Sequence, residues 1–252
     1  MTARPFHEAT VLRRQQLTRG MVRLTFNGEG LSAFRSTGIA DEYVRLFFPD
    51  PETGELVLPE IDGDGRWIFP AERHRVHYST YTVRRFDQAR CELDIDLVVH
   101  AGGRASDWAC GARAGDRIVI NNPRGLYKPP PDLRWQVLIG DATGLPAIAR
   151  ILETCPADIE SRIFIEIDDE ADRQELVTGP CAPVVWLCGE AGRPAQSKLL
   201  DVLPTLSTEM DGGYLWVAAE KSVVRALRSQ AESLGCFADR QKLVSYWSRA
   251  KD

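Results

Sequence analysis

Short segments in which apolar and polar residues alternate fill most of the first 128 residues. Alternation with a period of two is typical of β-strands that bury one face. The clearest case is the segment 93–99, in which Asp94 and Asp96 are flanked by apolar residues. Six such segments are separated by turns, at residues 9–12, 21–26, 43–48, 78–84, 93–99 and 117–120. We predict that they form a six-stranded antiparallel barrel, because closing the sheet leaves no exposed edge strand.

Three consecutive prolines, Pro129-Pro130-Pro131, end this region. Proline fixes the backbone angle φ and has no N–H group, so the run excludes both a helix and a central strand. We therefore predict a domain boundary here. It separates a barrel domain at residues 1–128 from a second domain at residues 132–252.

The second domain alternates strands with helices. Strands are predicted at 135–139, 162–167, 184–188 and 214–218, and helices at 145–154, 194–202 and 222–234, with a short helical segment after the second strand. This order predicts a parallel sheet with helices on both faces. Ligands of such sheets bind beyond the carboxyl ends of the strands, where the turn Gly140-Asp141-Ala142-Thr143-Gly144 stands. The turn lacks GxGxxG spacing, so an ordinary strand-to-helix turn is the alternative.

Composition indicates a globular protein, since 44% of its 252 residues are hydrophobic and 27% are charged. No apolar run reaches the roughly 18 to 20 residues that a membrane helix needs, and the N-terminus has no signal-peptide core. We therefore expect a cytoplasmic protein with no membrane insertion. The net charge of −5, without a basic run, argues against a nucleic-acid partner. The six cysteines form no CxxC pair, which argues against a zinc site or a disulfide framework.

Two features of the barrel domain suggest a bound flavin dinucleotide. Tyr81 and Thr82 occupy alternate faces of a predicted strand, where an aromatic ring offers a flat cofactor a stacking surface. Further along, a glycine pair opens a short helix predicted at residues 105–112. Its free N–H groups, with the Ser106 hydroxyl and the Arg104 guanidinium, form an anion site suited to a diphosphate. A surface helix capped by serine is the alternative interpretation of the second feature.

These motifs recur, in the same order, in a known protein family. The chain resembles the siderophore-interacting proteins over nearly all of its length. That family comprises FAD-binding ferric-siderophore reductases of the broad ferredoxin-NADP reductase-like group. The segments that carry the resemblance are Tyr81-Thr82-Val83-Arg84, Leu93-Asp94-Ile95-Asp96-Leu97-Val98-Val99-His100, Ala105-Ser106-Asp107-Trp108-Ala109, Pro123-Arg124-Gly125, Gly140-Asp141-Ala142-Thr143-Gly144-Leu145-Pro146-Ala147-Ile148, Tyr214-Leu215-Trp216-Val217-Ala218-Ala219-Glu220, Val224-Arg225-Ala226-Leu227-Arg228 and Tyr246-Trp247.

The resemblance implies roles in FAD binding for residues of the barrel domain. Tyr81 would stack against the isoalloxazine or the adjoining ribityl chain, and Thr82 would form a hydrogen bond near the flavin N5. Arg84 or His100 would contact the phosphates or the adenine, and the start of the following helix would hold the diphosphate. The implied FAD contacts are Tyr81, Thr82, Val83, Arg84, Val98, Val99, His100, Gly103, Arg104, Ala105, Ser106 and Trp108.

In the second domain the resemblance implies contacts with NADPH or NADH. The implied residues are Asp141, Thr143, Leu145, Pro146, Ala219, Glu220, Tyr246 and Trp247. The first four would lie on the nicotinamide side, and the last two would cover the ring.

The implied reaction passes hydride to the flavin and then electrons to siderophore-bound Fe(III), which is held far more weakly once reduced. It needs no acid, base or nucleophile from the protein, so we predict no catalytic side chain. His7, His74 and His77 have no metal-type companions in the sequence, which argues against a protein-bound metal. The tryptophans expected to lie in the core are Trp108, Trp135, Trp186 and Trp216.

The chain departs from the family pattern at two informative positions. Ser79 stands where the family has an arginine that grips the flavin diphosphate, and serine supplies neither a charge nor a bidentate fork. His77 and Arg104 are the nearest candidates to compensate. Ala219 stands where the family favours glycine, and its methyl group is expected to narrow the approach of a ligand to the backbone.

The sequence therefore supports two hypotheses about function. The favoured one is an FAD-dependent ferric-siderophore reductase that passes electrons from NAD(P)H through FAD to release iron. The alternative is a divergent family member without reductase activity, which binds flavin, a siderophore or another metabolite in a biosynthetic or regulatory role. The sequence does not select the siderophore, decide between NADPH, NADH and ferredoxin as the electron donor, or indicate the oligomeric state.

Overall fold

The computed structural model describes residues 5–64, 66–72, 75–100, 102–177, 183–189, 196–206 and 212–249. The chain divides into two compact units. The first holds most of the chain before residue 125. The second holds the remainder, together with the short segments 18–20 and 38–41.

The described residues of the first unit form eight strands and one α-helix. In chain order these are β1 (Phe6–Thr18), β2 (Met21–Asn27), β3 (Tyr43–Phe48), β4 (Glu60–Ile61), β5 (Trp67–Ile68), β6 (His77–Asp87), β7 (Glu92–Val98), α1 (Arg104–Gly111) and β8 (Arg117–Asn121), with a 3-10 helix at Glu29–Ala33. Six of the strands form a closed barrel in the order β1-β2-β7-β6-β3-β8, and β4 pairs with β5. The predicted six-stranded antiparallel barrel is confirmed, and the predicted segments lie in these strands except for residue 99, which follows the end of β7.

The barrel interior is filled by the apolar residues of the alternating pattern. Val22, Leu24 and Phe26 of β2 are fully buried in one cluster with Leu93, Ile95 and Leu97 of β7, and α1 packs against this cluster. Asp94 and Asp96 of β7 are buried as well, because partners cover them. Asp96 accepts two hydrogen bonds from Arg23, at 2.6 and 2.8 Å. The alternation therefore predicted the strand correctly, although its polar face is covered by ion pairs and hydrogen bonds.

The second unit is a parallel sheet flanked by helices. Its elements are β9 (Trp135–Asp141), α2 (Leu145–Thr154), β10 (Glu160–Ile167), β11 (Val185–Cys188), α3 (Val202–Thr205), β12 (Gly213–Glu220), α4 (Lys221–Ser233) and β13 (Gln241–Trp247), with 3-10 helices at Glu170–Asp172 and Lys198–Asp201. The strand order is β11-β10-β9-β12-β13, and all neighbours run parallel.

Residue parity along the central strands separates the two faces of this sheet. Val137 and Val217 pack in a cluster with α3 and α4. On the opposite face, an added Cβ at Gly140 would come within 2.9 Å of Ile148 on α2. The predicted parallel sheet with helices on both faces is confirmed.

Two details of the second unit differ from the sequence prediction. β13 was not predicted as a strand, because only Leu243 among its seven residues is fully buried and the segment shows little apolar pattern. The helix predicted at 194–202 begins outside the described residues, and its described part is a 3-10 turn followed by α3. Within the described residues, no helix is long and apolar enough to cross a membrane.

Candidate functional site

A cavity of about 740 Å³ opens at the barrel unit, a size typical of sites for small molecules and cofactors. It is bounded by β6, by the chain following β3, and by the N-terminal part of α1. Its lining residues are Phe48, Pro49, Asp50, Pro51, Val76, His77, Tyr78, Ser79, Tyr81, His100, Gly103, Arg104, Ala105, Ser106, Asp107 and Trp108. The structure thus brings the tyrosine motif and the glycine-helix motif to one cavity.

Alternate residues of β6 form one wall. His77, Ser79 and Tyr81 lie on the same face of the strand because its side chains alternate. The Tyr81 ring packs partly against the barrel core. Burial raises the pKa of Tyr81 to about 12, and a hydrogen bond with Ser79 acts weakly in the opposite direction. The wall therefore presents a neutral phenol ring next to a serine hydroxyl.

The opposite wall is the start of α1. An added Cβ at Gly103 would come within 2.2 Å of the His100 ring, so glycine leaves room for that imidazole. The Ser106 hydroxyl is buried and accepts a hydrogen bond from the His100 N–H at 2.9 Å. Its own proton remains available for donation, since a hydroxyl both donates and accepts. This wall combines helix N–H groups with a hydroxyl donor, as an anion site requires.

Arg104 connects the two walls. Its Nη1 lies 2.7 Å from His77 Nδ1, and His77 Nε2 lies 3.0 Å from an Asp50 carboxylate oxygen. The other oxygen of Asp50 accepts hydrogen bonds from the backbone N–H groups of Glu52 and Thr53, both at 2.9 Å. The hydrogen bond from His77, followed by these backbone bonds, holds the pKa of Asp50 well below its ordinary value.

Thr82 lies on the other face of β6 from Tyr81. Its side chain is buried, with 3% of the residue exposed, and its hydroxyl has no hydrogen-bond partner within the described residues. A buried hydroxyl without a partner carries a desolvation cost that a ligand atom can remove. Thr82 is not among the residues that line the cavity, so its implied bond to a cofactor atom stays a prediction.

Several implied FAD contacts lie outside the cavity lining. Val83 is fully buried in the barrel core, and Val99 packs against that core. Val98 pairs with Met21 of β2. Arg84 sits where the pairing register of β6 and β7 shifts, and its Nε lies 3.8 Å from an Asp96 oxygen. For contact with the phosphates, the structure therefore brings His100 and not Arg84 to the cavity.

In the second unit, Asp141 lies at the carboxyl end of β9 and forms hydrogen bonds with the last residues of β12 and β13. One carboxylate oxygen accepts hydrogen bonds from the Thr143 N–H and hydroxyl, at 2.9 and 2.5 Å. The other accepts from the Glu220 N–H at 2.9 Å and from Trp247 Nε1 at 2.7 Å. Burial raises the pKa of Asp141, and these four donors oppose the rise. The residues implied for the nicotinamide side do converge, but the Asp141 carboxylate is already bonded to protein donors.

Glu220 begins α4. One of its carboxylate oxygens accepts from the backbone N–H groups of Ser222 and Val223, and the other accepts from the Arg249 N–H. Ala219 is fully buried in the core beneath α3 and α4. The expectation that its methyl group narrows a ligand's approach was wrong, because strand parity points that methyl group into the core.

The remaining implied residues of this unit are divided between core and surface. Leu145 and Pro146 are buried in the first turn of α2. Tyr246 packs edge-to-face on Trp216 with a centroid distance of 6.3 Å. Trp247 is 40% exposed at the end of β13. An exposed indole held by Asp141 is available to contact a ligand.

The other tryptophans and histidines are accounted for as follows. Trp216 is fully buried, whereas Trp108, Trp135 and Trp186 are half-buried. Trp108 also lines the cavity, where it faces Phe48 with a centroid distance of 5.1 Å. Both ring nitrogens of His7 are within hydrogen-bond distance of protein oxygens, and His74 lies outside the described residues.

Sequence reasoning did not assign Asp50 or Phe48 to the site. Both lie at the end of β3, where Phe48 pairs with His77 across β3 and β6. That pairing brings Asp50 within reach of the His77 ring. The only signal in the sequence was the position of a strand end, which does not reveal the strand opposite.

Comparison with known proteins places these features in a family context. A sequence model of the siderophore-interacting FAD-binding domain matches residues 10–127, and a model of the siderophore-interacting protein matches residues 133–250. The NADPH-dependent ferric-chelate reductase of Escherichia coli (strain K12) is 30% identical over 246 residues, which cover 96% of this chain and 92% of the relative.

Solved structures show the same similarity. A siderophore utilization protein from T. fusca superimposes with a TM-score of 0.87 and 34% identity, over 99% of this chain and 96% of that one. A ferredoxin NADP+ reductase from Neisseria gonorrhoeae shares the fold, with a TM-score of 0.64 and 14% identity over 96% of this chain and 99% of that one.

Proposed function

The chain belongs to the siderophore-interacting protein family, and we propose from this premise that it is an FAD-dependent oxidoreductase that reduces siderophore-bound Fe(III) with electrons from NADPH or NADH. The ferric siderophore is the small-molecule substrate. We place this reaction in the cytoplasm, where both nicotinamide donors are available. We assign FAD to the barrel domain, residues 1–128, and the nicotinamide to residues 132–252.

The observation that carries the proposal is the cavity between β6 and α1. It places a flat phenol ring, Tyr81, across from a helix start that carries Ser106 and Arg104. A dinucleotide needs both a surface on which a ring can stack and donors for a diphosphate. Outside the cavity lining, the buried hydroxyl of Thr82 has no hydrogen-bond partner in the described part of the chain, so a ligand atom could satisfy it. These residues fit FAD.

The protein's own contribution is binding and orientation. Helix N–H groups, the Ser106 hydroxyl and the Arg104 guanidinium would hold the diphosphate, while Tyr81 would fix a ring. When bound, FAD supplies hydride acceptance and one-electron donation, so the protein needs no acid or base for the iron step. In the second domain, the strand ends gathered by Asp141, with Trp247 beside them, form our proposed nicotinamide side.

The visible absorption spectrum of the purified protein tests this function. We expect a flavin spectrum, either as isolated or after reconstitution with FAD. Under anaerobic conditions the flavin spectrum should bleach on addition of NADPH or NADH and recover on addition of a ferric siderophore. The absorbance of a ferrous chelator reports the Fe(II) that forms. Repeating the experiment with reduced ferredoxin in place of NADPH or NADH tests the third possible electron donor.

Other outcomes of that experiment separate the alternatives. A flavin spectrum that no donor bleaches would support the divergent member, which binds flavin without reductase activity. A colourless protein that FAD cannot reconstitute would overturn the flavin assignment itself. Of the two departures that motivate this alternative, only Ser79 still bears on the cavity, because Ala219 points into the core.

Thr82 offers a test in which stability and activity change in opposite directions. Thr82→Val preserves side-chain shape and removes a buried hydroxyl that has no partner among the residues the structure describes, so the apoprotein should gain about 1 kcal/mol in free energy of unfolding. Loss of the proposed bond near the flavin N5 should slow flavin reduction about tenfold. Urea unfolding of the apoprotein and stopped-flow reduction by NADPH measure the two effects.

Thr80→Val is the control for Thr82→Val, since Thr80 lies on the same face of β6 but is exposed. It should change neither quantity appreciably. A Thr82→Val apoprotein that is less stable than wild type would mean that the hydroxyl has a partner in solution. Unchanged reduction kinetics would remove Thr82 from the flavin site.

A further inference from the structure

Arg104 is the one permanently charged cation among the described residues that line the cavity. It is the first residue of α1, and its side chain reaches across to β6. The guanidinium is exposed on the surface, where an unrestrained arginine side chain samples many rotamers. A neighbouring side chain that restrains the guanidinium therefore lowers the entropy that Arg104 loses when it binds a ligand.

The partner is His77, and the geometry assigns a hydrogen-bonding role to each of its ring nitrogens. A guanidinium has donors and no acceptor, so the Arg104 Nη1 contact at 2.7 Å requires a lone pair on His77 Nδ1. His77 Nε2 lies 3.0 Å from the Asp50 carboxylate, which accepts hydrogen bonds, so Nε2 is the donor of this contact. Asp50 is itself held by the Glu52 and Thr53 N–H groups. The contacts therefore run from the turn at Asp50 through His77 to the Arg104 guanidinium.

The contact between Arg104 and His77 matters because the neighbouring residue on the same strand face, Ser79, is uncharged. It lies two residues from His77 on the same face of β6 and lines the same cavity, but it carries no charge. None of the described β6 residues that line the cavity is permanently charged. The positive charge at this wall comes from Arg104 of α1, which His77 contacts.

We propose that Arg104 supplies the cationic contact to the FAD diphosphate and that His77, oriented by Asp50, is its positioning residue. This inference rests on the proposed function, because it specifies how the FAD site obtains its positive charge. An arginine fork that is held in place loses less side-chain entropy when it binds phosphate oxygens. Arg104 retains further N–H donors for the ligand while one is bonded to His77.

The test is the dissociation constant of FAD, measured by flavin fluorescence on titration with the apoprotein at pH 8, where an ordinary imidazole is neutral. Arg104→Ala should raise it about tenfold, a modest figure because the side chain is exposed. ADP, which keeps the diphosphate, should lose affinity similarly. Riboflavin, which lacks it, should bind Arg104→Ala and wild type equally. Arg113→Ala, which removes an exposed arginine just beyond the other end of α1, is the matched control and should bind FAD normally.

His77 is tested through its dependence on Arg104. His77→Leu should weaken FAD binding about threefold when Arg104 is present and have no further effect in Arg104→Ala, because a positioning residue acts only through its target. His77→Asn, which keeps an acceptor near the Nδ1 position, should restore most of the affinity. A purely structural role would give the same loss in both backgrounds, which would overturn the assignment of His77.

Ser79→Arg tests whether position 79 and Arg104 serve the same phosphates. In the Arg104→Ala background it should restore most of the lost affinity, and in wild type it should add less than about threefold. Equal gains in both backgrounds would overturn the shared role. Wild-type FAD affinity in Arg104→Ala would overturn this inference and leave the proposed function intact. Failure of the wild-type protein to bind either FAD or ADP would overturn both.

Discussion

Replacing Tyr81 by alanine is expected to weaken FAD binding by about 30- to 150-fold, which corresponds to about 2 to 3 kcal/mol. Stacking of a nucleobase on an aromatic side chain contributes about 1 to 3 kcal/mol, and the flavin ring offers a larger flat surface than a base. The Tyr81 ring lines the cavity while its inner side packs against the barrel core. It is therefore held in one position before a cofactor arrives, and little further ordering is needed on binding.

Two companion variants separate stacking from stability. Tyr81→Phe keeps the ring and loses only the hydroxyl contact with Ser79, so FAD affinity should change less than about threefold. Tyr81→Leu keeps apolar volume against the barrel core but removes the flat ring, so the apoprotein should unfold near the wild-type temperature and still bind FAD poorly. Full flavin retention in Tyr81→Leu would show that the ring does not stack on FAD.

The sequence predicted the barrel because its strands follow a simple physical rule. Each buried strand has apolar residues at every second position, and the turns between strands are polar. The same rule placed Ser79 and Tyr81 on one strand face, and the structure finds both in the cavity wall. The same rule applies to Ala219, which lies on the same face of β12 as Val217 and Leu215 and therefore points into the core beneath α4.

The parts that sequence reasoning missed depend on pairing between distant segments. The Asp50–His77–Arg104 contacts join the end of β3, the start of β6 and the start of α1, and they exist only because Phe48 pairs with His77. Alternation identifies strands but carries no information about which strand lies beside which. Edge strand β13 was not predicted for a different reason, because it buries little apolar surface and so has no clear alternating pattern.

Segment 38–41 is the least predictable part of the fold. It lies between two strands of the barrel in sequence, yet it belongs to the second unit. Its anchor is Asp41, which is 1% exposed. One carboxylate oxygen accepts from the Leu126 and Tyr127 N–H groups at 2.6 and 2.7 Å, and the other accepts from Trp216 Nε1 at 3.1 Å. A single aspartate in a polar loop gives no sequence signal for such a role.

Asp41→Ala is expected to lower the free energy of unfolding of the second unit by about 3 kcal/mol, because it leaves three donors without this acceptor. Trp216 is fully buried, so water cannot replace the carboxylate at its Nε1 without opening the core. Asp41→Asn should cost less, about 2 kcal/mol, since its carbonyl can still accept from the two backbone N–H groups while its amide faces the indole N–H. Urea unfolding followed by far-ultraviolet circular dichroism measures these changes.

A double-variant cycle assigns the loss to specific bonds. Trp216→Phe removes the indole donor, so Asp41→Ala should cost about 1 kcal/mol less in that background than in wild type. Asp132→Ala is the control, because Asp132 forms an exposed ion pair with Arg240 in the same unit and should cost under about 1 kcal/mol. Equal effects of Asp41→Ala and Asp132→Ala would contradict the anchoring role. A loss specific to Asp41 would show that this loop, which lies between barrel strands in the sequence, is an integral part of the second unit.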